Sequence, residues 1–138
     1  MANEHPAALT AGQALQRMKE GRLSSEELVT GCLERIRQVE PTVQAWQYLD
    51  EEHALSQARA ADERRRSGEP VGSLNGIPVG VKDIIDTSDM PTEMGSSIYA
   101  GWRPKADAPV VAALKRAGAA RIELVSWARV VKPSQLMR

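Results

Sequence analysis

The stretch Gly76-Ile-Pro-Val-Gly-Val-Lys-Asp83 constrains this 138-residue chain more than any other segment. A turn-rich connection, Glu69-Pro-Val-Gly-Ser-Leu-Asn-Gly76, leads into it, and the apolar run Ile77 to Val81 is short and carries β-branched residues. It reads as a strand with Val79 and Val81 on one face, and with Gly80 leaving room for a close approach. The run ends on a single ionisable side chain, Lys82. Burial at such a place disfavours the ammonium relative to the neutral amine, which is how a lysine becomes a usable base. Taken alone, a lysine that ends a strand beside Asp83 and Asp86 is also an ordinary surface ion pair.

The segments around this strand are helical. Thr10 caps a helix to Glu20, with Leu9, Ala14, Leu15 and Met18 on one side and Gly21 as its stop. Ser24-Ser-Glu-Glu27 is a capping box, and the helix after it carries Leu28, Val29, Cys32, Leu33, Ile36 and Val39 at a 3.6 period until Pro41 ends it. Val43 to Leu49 reads as a short strand, and Asp50 caps a third helix to about Ser67, apolar through Ala54, Leu55, Ala58 and Ala61. Residues 83–101 form a long loop with Pro91, Gly95 and Gly101. Asp107 then caps a helix with Val110, Val111 and Leu114 inward and Gly118 as its stop, and Arg121 to Val125 reads as a strand. Helices alternating with short strands predict an α/β layer structure.

Composition narrows the function classes. Apolar residues at 42% and charged residues at 26% describe an ordinary globular chain, and with no Phe its core falls to Leu, Val, Ile and Ala. Lys+Arg and Asp+Glu cancel at 18 each, so nothing supports a nucleic-acid or anionic-membrane surface, which needs a basic excess. Arg64-Arg-Arg66 sits in the last turn of a helix, where cations suit the dipole. No apolar run approaches the roughly 20 residues of a membrane span, no signal peptide is evident, and the one cysteine, Cys32, cannot pair internally. A cytoplasmic protein is expected. Cys32 reads as a small core residue, and His5 and His53 lack ligand-like spacing, so neither a metal nor a cofactor is expected.

Several segments occur in an order that resembles one family: Leu23-Ser-Ser-Glu-Glu-Leu-Val29, the helix with Cys32-Leu-Glu-Arg-Ile36, the Ala-rich helix to Asp62, Gly76 to Asp83, Thr92-Glu-Met-Gly-Ser96, and Val110 to Ala119. Together they resemble the N-terminal part of the amidase signature family. The resemblance implies an α/β/α sandwich with a mixed sheet, of which this chain holds the opening portion as residues 1–119. In that family the lysine matching Lys82 is the base of a Ser–cis-Ser–Lys triad that hydrolyses carboxylic amides. Both serines belong to a Gly/Ser-rich loop farther on, and no Gly-Gly-Ser-Ser-Gly-Gly-Ser-like segment occurs in these 138 residues. Gly95-Ser96-Ser97 aligns with a different loop and reads as an ordinary turn. From Ala120 to Arg138 the sequence departs from the family pattern and is expected to form a divergent tail.

The resemblance therefore predicts a truncated amidase-family chain that keeps the catalytic lysine and is inactive alone, with a small-molecule amide as the family's substrate. Alternatives are a non-catalytic helical interaction module and a remnant of an amidotransferase A-type subunit. With most of the sheet missing, the apolar face Leu28/Cys32/Leu33/Ile36 is expected to be exposed and to invite self-association. The strands at 77–81 and 121–125 are expected to lack neighbours, leaving residues 10–67 better ordered than 120–138.

Overall fold

A computed structural model describes residues 5–125. A 3-10 turn at Pro6–Ala8 precedes α1 (Ala11–Lys19), α2 (Ser25–Val43), β1 (Trp46–Leu49), α3 (Glu51–Arg66) and β2 (Pro78–Lys82). A second 3-10 turn at Ser97–Tyr99 is followed by α4 (Pro109–Arg116) and β3 (Ala120–Val125). The α/β alternation predicted from the sequence is present.

The helix starts are chemically explicit. Thr10 Oγ1 accepts the Gln13 N–H at 3.2 Å while Gln13 Oε1 accepts the Thr10 N–H at 2.8 Å. Ser24 and Glu27 repeat this reciprocal box at 3.0 and 2.7 Å. Asp50 Oδ1 takes the His53 N–H at 2.9 Å. The start of α2 has a second guard that comes from another helix. Asp62 of α3 accepts the Ser25 and Glu26 N–H groups at 2.8 and 3.0 Å, placing a carboxylate at the positive end of α2.

The helices pack through small residues. Val29, Leu33 and Ile36 of α2 close on Ala54 and Ala58 of α3 and on Ala120, all buried. A second cluster joins Ala14, Met18, Leu28 and Ile77, and a third joins Val81, Met90 and Val111. The α2 face expected to be open is therefore covered: Leu28, Leu33 and Ile36 are 4%, 1% and 8% exposed. The large apolar side chains left in solvent lie elsewhere, Ile98 at 86% and Ile84 at 58% being the most exposed. Val110 also faces out, at 53%, while its neighbour Val111 alone fills the inner position.

Strand order is β1-β3-β2, with β3 antiparallel to β1 and parallel to β2. Segments 77–81 and 121–125 thus do not lack neighbours, because β3 is paired on both sides and β1 supplies a third strand. The expected tail begins inside this sheet at Ala120, and residues from 126 on lie outside the described ones. Strand bounds shift from expectation: β1 starts at Trp46 rather than Val43, and β2 runs to Lys82 rather than stopping at Val81.

The sequence ends α2 at Pro41, yet the helix runs on to Val43. A proline removes its own N–H bond and crowds the carbonyl four residues back, but Pro41 lies in the last turn of α2, and that turn is closed around it. The Gln44 N–H reaches the Glu40 carbonyl at 2.9 Å, with Gln44 left-handed at φ 52. The Glu40 carboxylate then receives the Ala45 and Trp46 N–H groups at 3.1 and 2.9 Å and steers the chain into β1.

Asp107 does not cap α4 either; the N-cap is Ala108, which makes no side-chain cap bond. The Asp107 carboxylate is engaged by Ser88, through N at 2.8 Å and Oγ at 2.9 Å, and by the Lys115 ammonium. Burial raises the Asp107 carboxyl, but the bonds from Lys115 and Ser88 outweigh it and push it down to about 2.

The connection into β2 is knotted to three helices. Ser25 Oγ donates to the Gly76 carbonyl at 2.7 Å, Asn75 Nδ2 to the Ala61 carbonyl at 3.1 Å, and Arg65 Nη2 to the Asn75 carbonyl at 3.1 Å. The Leu74 and Gly76 N–H groups reach the Ala117 and Gly118 carbonyls at 2.8 and 2.9 Å, just past α4. Gly76 has φ +77, and a Cβ there would stand 2.5 Å from Ser25 Oγ, whereas one at Gly68, φ +76, meets nothing within 4 Å.

Two outcomes are expected from this packing. Gly68→Ala carries only the left-handed backbone cost, about 1 kcal/mol, while Gly76→Ala adds a clash and costs about 3 kcal/mol, read by urea unfolding. Because the Asp107 carboxyl is depressed in the folded state, its contribution is present above its unfolded value near 4 and is lost as pH falls through about 2. Asp107→Asn is therefore expected to destabilise the chain by about 2 kcal/mol at pH 7, and the deficit should shrink as pH falls below about 4 and be gone only well below about pH 2.

Candidate active site

Lys82 is the last residue of β2, half-buried, and stands opposite Val125 of β3. Its carbonyl accepts the Ile85 N–H at 3.0 Å, closing a turn at once after the strand. Asp83 follows and is 1% exposed. Its carboxylate accepts the Glu93 N–H at 2.7 Å and the Gly95 N–H at 3.3 Å, and its carbonyl takes the Met94 N–H at 2.9 Å. A strand end carrying an amine is thus fastened to a loop by the residue beside it.

That loop is built rather than slack. The Thr92 N–H meets the Trp102 carbonyl at 2.8 Å, and the Ser96 N–H meets the Glu93 carbonyl at 2.9 Å. Glu93 spreads its carboxylate between the Gly101 N–H at 2.8 Å and Gln47 Nε2 of β1 at 2.7 Å, tying the loop across the sheet. Fully buried Thr87 donates to the Met90 carbonyl at 3.2 Å, so the approach to the loop is also paired. The sequence marks residues 83–101 as a loop, but it does not reveal that Asp83, Glu93 and Gln47 organise it. The one available signal is an aspartate directly after an apolar strand, where a charge needs partners.

The other candidates take structural places. Ser96 Oγ accepts the Ile98 N–H at 3.3 Å as the cap of the Ser97–Tyr99 turn, and the Ser97 carbonyl accepts the Ala100 N–H at 3.3 Å. His5 Nδ1 accepts the Ala7 N–H at 3.3 Å, and His53 Nε2 lies 3.7 Å from Asp89 Oδ2. Among the described residues no group of three or more His, Cys, Asp and Glu is arranged to hold a metal. The Arg64–Arg66 run forms ion pairs of its own, Arg65 with Asp62 at 2.7 Å and Arg66 with Glu63 at 2.8 Å. Asp62, Arg65 and Arg66 border an open groove of about 520 Å³ between the α1–α2 turn and α3, of which Lys82 is not a lining residue. There Asp62 already holds the α2 terminus.

Cys32 packs beside both helical clusters, and burial pushes its thiol up. The thiolate is the reactive form. Alkylation of Cys32 by iodoacetamide at pH 8 is therefore expected to run at least about tenfold slower in the native chain than in urea.

Comparison with known proteins gives the setting of this geometry. The family described as Amidase matches residues 27–122. The A-type subunit of glutamyl-tRNA(Gln) amidotransferase from Chloroflexus aurantiacus is 44% identical over 119 residues, which is 86% of this chain and 24% of the relative. The protein of the same name from Myxococcus xanthus is 46% identical over 80% of this chain and 23% of its own length. Among solved structures, the native peptide amidase of Stenotrophomonas maltophilia superposes with a TM-score of 0.81 at 35% identity, over 88% of this chain and 25% of that one. The chain thus spans about a quarter of the length of the relatives it matches. A family match across most of its residues, in sequence and in fold alike, means that this chain belongs to the amidase signature family.

Proposed function

We propose that this chain carries the base-bearing portion of a serine-dependent amidase, with Lys82 as the base, and that these 138 residues do not turn over amides by themselves. What supports the reading is the position of Lys82 at the fixed end of β2, in the segment Gly76 to Asp83 that matches the family's lysine motif. In the mechanism that the family resemblance implies, neutral lysine takes a proton from a bridging serine. That serine activates a second serine for attack on the amide carbonyl, and backbone N–H groups stabilise the tetrahedral oxyanion. No Gly/Ser-rich loop able to supply both serines occurs in this sequence. In the larger α/β/α sandwich of a whole family member, with its mixed sheet, that loop would come to Lys82 from another segment.

The substrate class is a carboxylic amide. A second reading is favoured by the relatives named as amidotransferase subunits: the chain derives from an A-type subunit and works within an assembly of several chains. Association, including self-association, would then use the exposed side chains Ile98, Tyr99 and Trp102 rather than the α2 face. No helix among the described residues is long and apolar enough to cross a membrane, and the lone cysteine supports a cytoplasmic setting.

Two measurements test the proposal. The purified chain offered aryl and alkyl amides should release no product above a Lys82→Ala control; hydrolysis that disappears in that control would overturn the inactivity. Residues 10–119 grafted in place of the matching quarter of the Stenotrophomonas maltophilia peptide amidase should give an active chimera. In that chimera Lys82→Ala should cut turnover by about a thousandfold or more, and retained activity would remove Lys82 from the base role.

A further inference from the structure

The residue after the candidate base makes an unusual set of contacts for a loop aspartate. Asp83 is 1% exposed, and a carboxylate so buried is tolerated only when its oxygens are bonded. Its partners are the N–H groups of Glu93 and Gly95, one on each oxygen, while the Met94 N–H between them goes to the Asp83 carbonyl. Three successive amides of one loop thus converge on a single residue. Met94 and Gly95 are both left-handed, φ 55 and 66. For a methionine that conformation costs about 1 kcal/mol and persists only where the surroundings impose it. What imposes it here is the carboxylate that straddles the turn.

The consequence falls on Lys82. Its carbonyl is held by the Ile85 N–H at 3.0 Å, and its backbone is in register with Val125 of β3. The peptide joining Lys82 to Asp83 is therefore restrained by the strand on one side and by the 93–95 turn on the other. That turn is braced through the Glu93 carboxylate to Gln47 of β1. The α-carbon is the point from which the Lys82 side chain reaches out, so a shift of the strand end carries the amine with it. A misplacement of about 1 Å at a reacting group costs on the order of a hundredfold in rate.

We propose that Asp83 is a positioning residue for Lys82, its buried carboxylate clasping the 93–95 turn so that the end of β2 presents the lysine amine from one fixed place. The proposal rests on the reading of Lys82 as the family's base, but it is tested without any turnover. In the native chain the Glu93 and Gly95 amides should exchange with deuterium at least about tenfold slower than the exposed Ser97 amide. Asp83→Asn sets an NH₂ donor against one of the two N–H groups, so at least one of those amides should then exchange about tenfold faster. In the same variant, acylation of Lys82 by an amine-selective reagent, read by mass spectrometry relative to the exposed Lys105, should rise by about threefold or more as the strand end loosens. Native Glu93 and Gly95 amides that exchange as fast as Ser97 would overturn the clasp, even if Asp83→Asn fails to fold. Faster loop exchange with unchanged relative reactivity of Lys82 would leave the clasp standing and overturn the positioning role. Loss of the amidase reading itself would appear only in the chimera's activity.

Discussion

The knot at residues 74–77 is the constraint on which the rest of the structure depends. It is where α2, α3, the turn after α4 and the start of β2 meet, through Ser25, Ala61, Arg65, Ala117 and Gly118. Each bond is an ordinary hydrogen bond, worth about 1 kcal/mol net, but Ser25, Ala61, Asn75 and Gly76 are buried and their polar groups would be costly to leave unpaired. The knot also decides direction. With Gly76 pinned by both its carbonyl and its N–H, β2 can leave in one orientation only, and Lys82 stands six residues further along that line. The lysine's place is thus set from both ends, by the knot before the strand and by the turn after it.

Much of this was legible in the sequence because it rests on local chemistry. Thr10, Ser24 and Asp50 are short polar side chains immediately ahead of periodic apolar residues, and all three cap the helices they precede. The alanines of α3 and the apolar face of α2 announce their contact by their period alone. Lys82 stands out because a charge ends an apolar strand. What the sequence did not reveal is non-local. Asp107 looks like a cap by its spacing, yet a stronger offer from Ser88 and Lys115 takes its carboxylate. Pro41 looks like a stop, yet Glu40 and Gln44 close the turn around it. Asp83 and Glu93 read as loop charges, because nothing in their neighbours' identity says that backbone amides ten residues away will need an acceptor.

The same distinction explains the covered face of α2. An opening portion of a larger sheet predicts that Leu28, Leu33 and Ile36 are open to solvent. The alanines of α3 and the Ile77 and Ala120 side chains close over them, so the helical layer completes its own contact without further strands. Most of the large apolar groups left in solvent lie in the loop after Lys82, where Ile98 and Trp102 project from a frame held by hydrogen bonds. Stability and the candidate chemistry thus occupy different layers of a small structure. The helices carry the apolar burial, and the strand ends carry the polar network.

The middle position of β3 has a bearing on how the chain comes together as it is made. The outer strands, Trp46–Leu49 and Pro78–Lys82, are each hydrogen-bonded to β3 and not to one another. On a ribosome delivering residues in order, both must wait, unpaired, until Ala120–Val125 has emerged. The helical layer can condense early from near neighbours, whereas the sheet needs two long closures that share one late segment, the kind of contact that slows folding. In the nascent chain the end of β2 at Lys82 therefore takes up its lasting place only once Ala120–Val125 is available, after α2 and α3 that aim it.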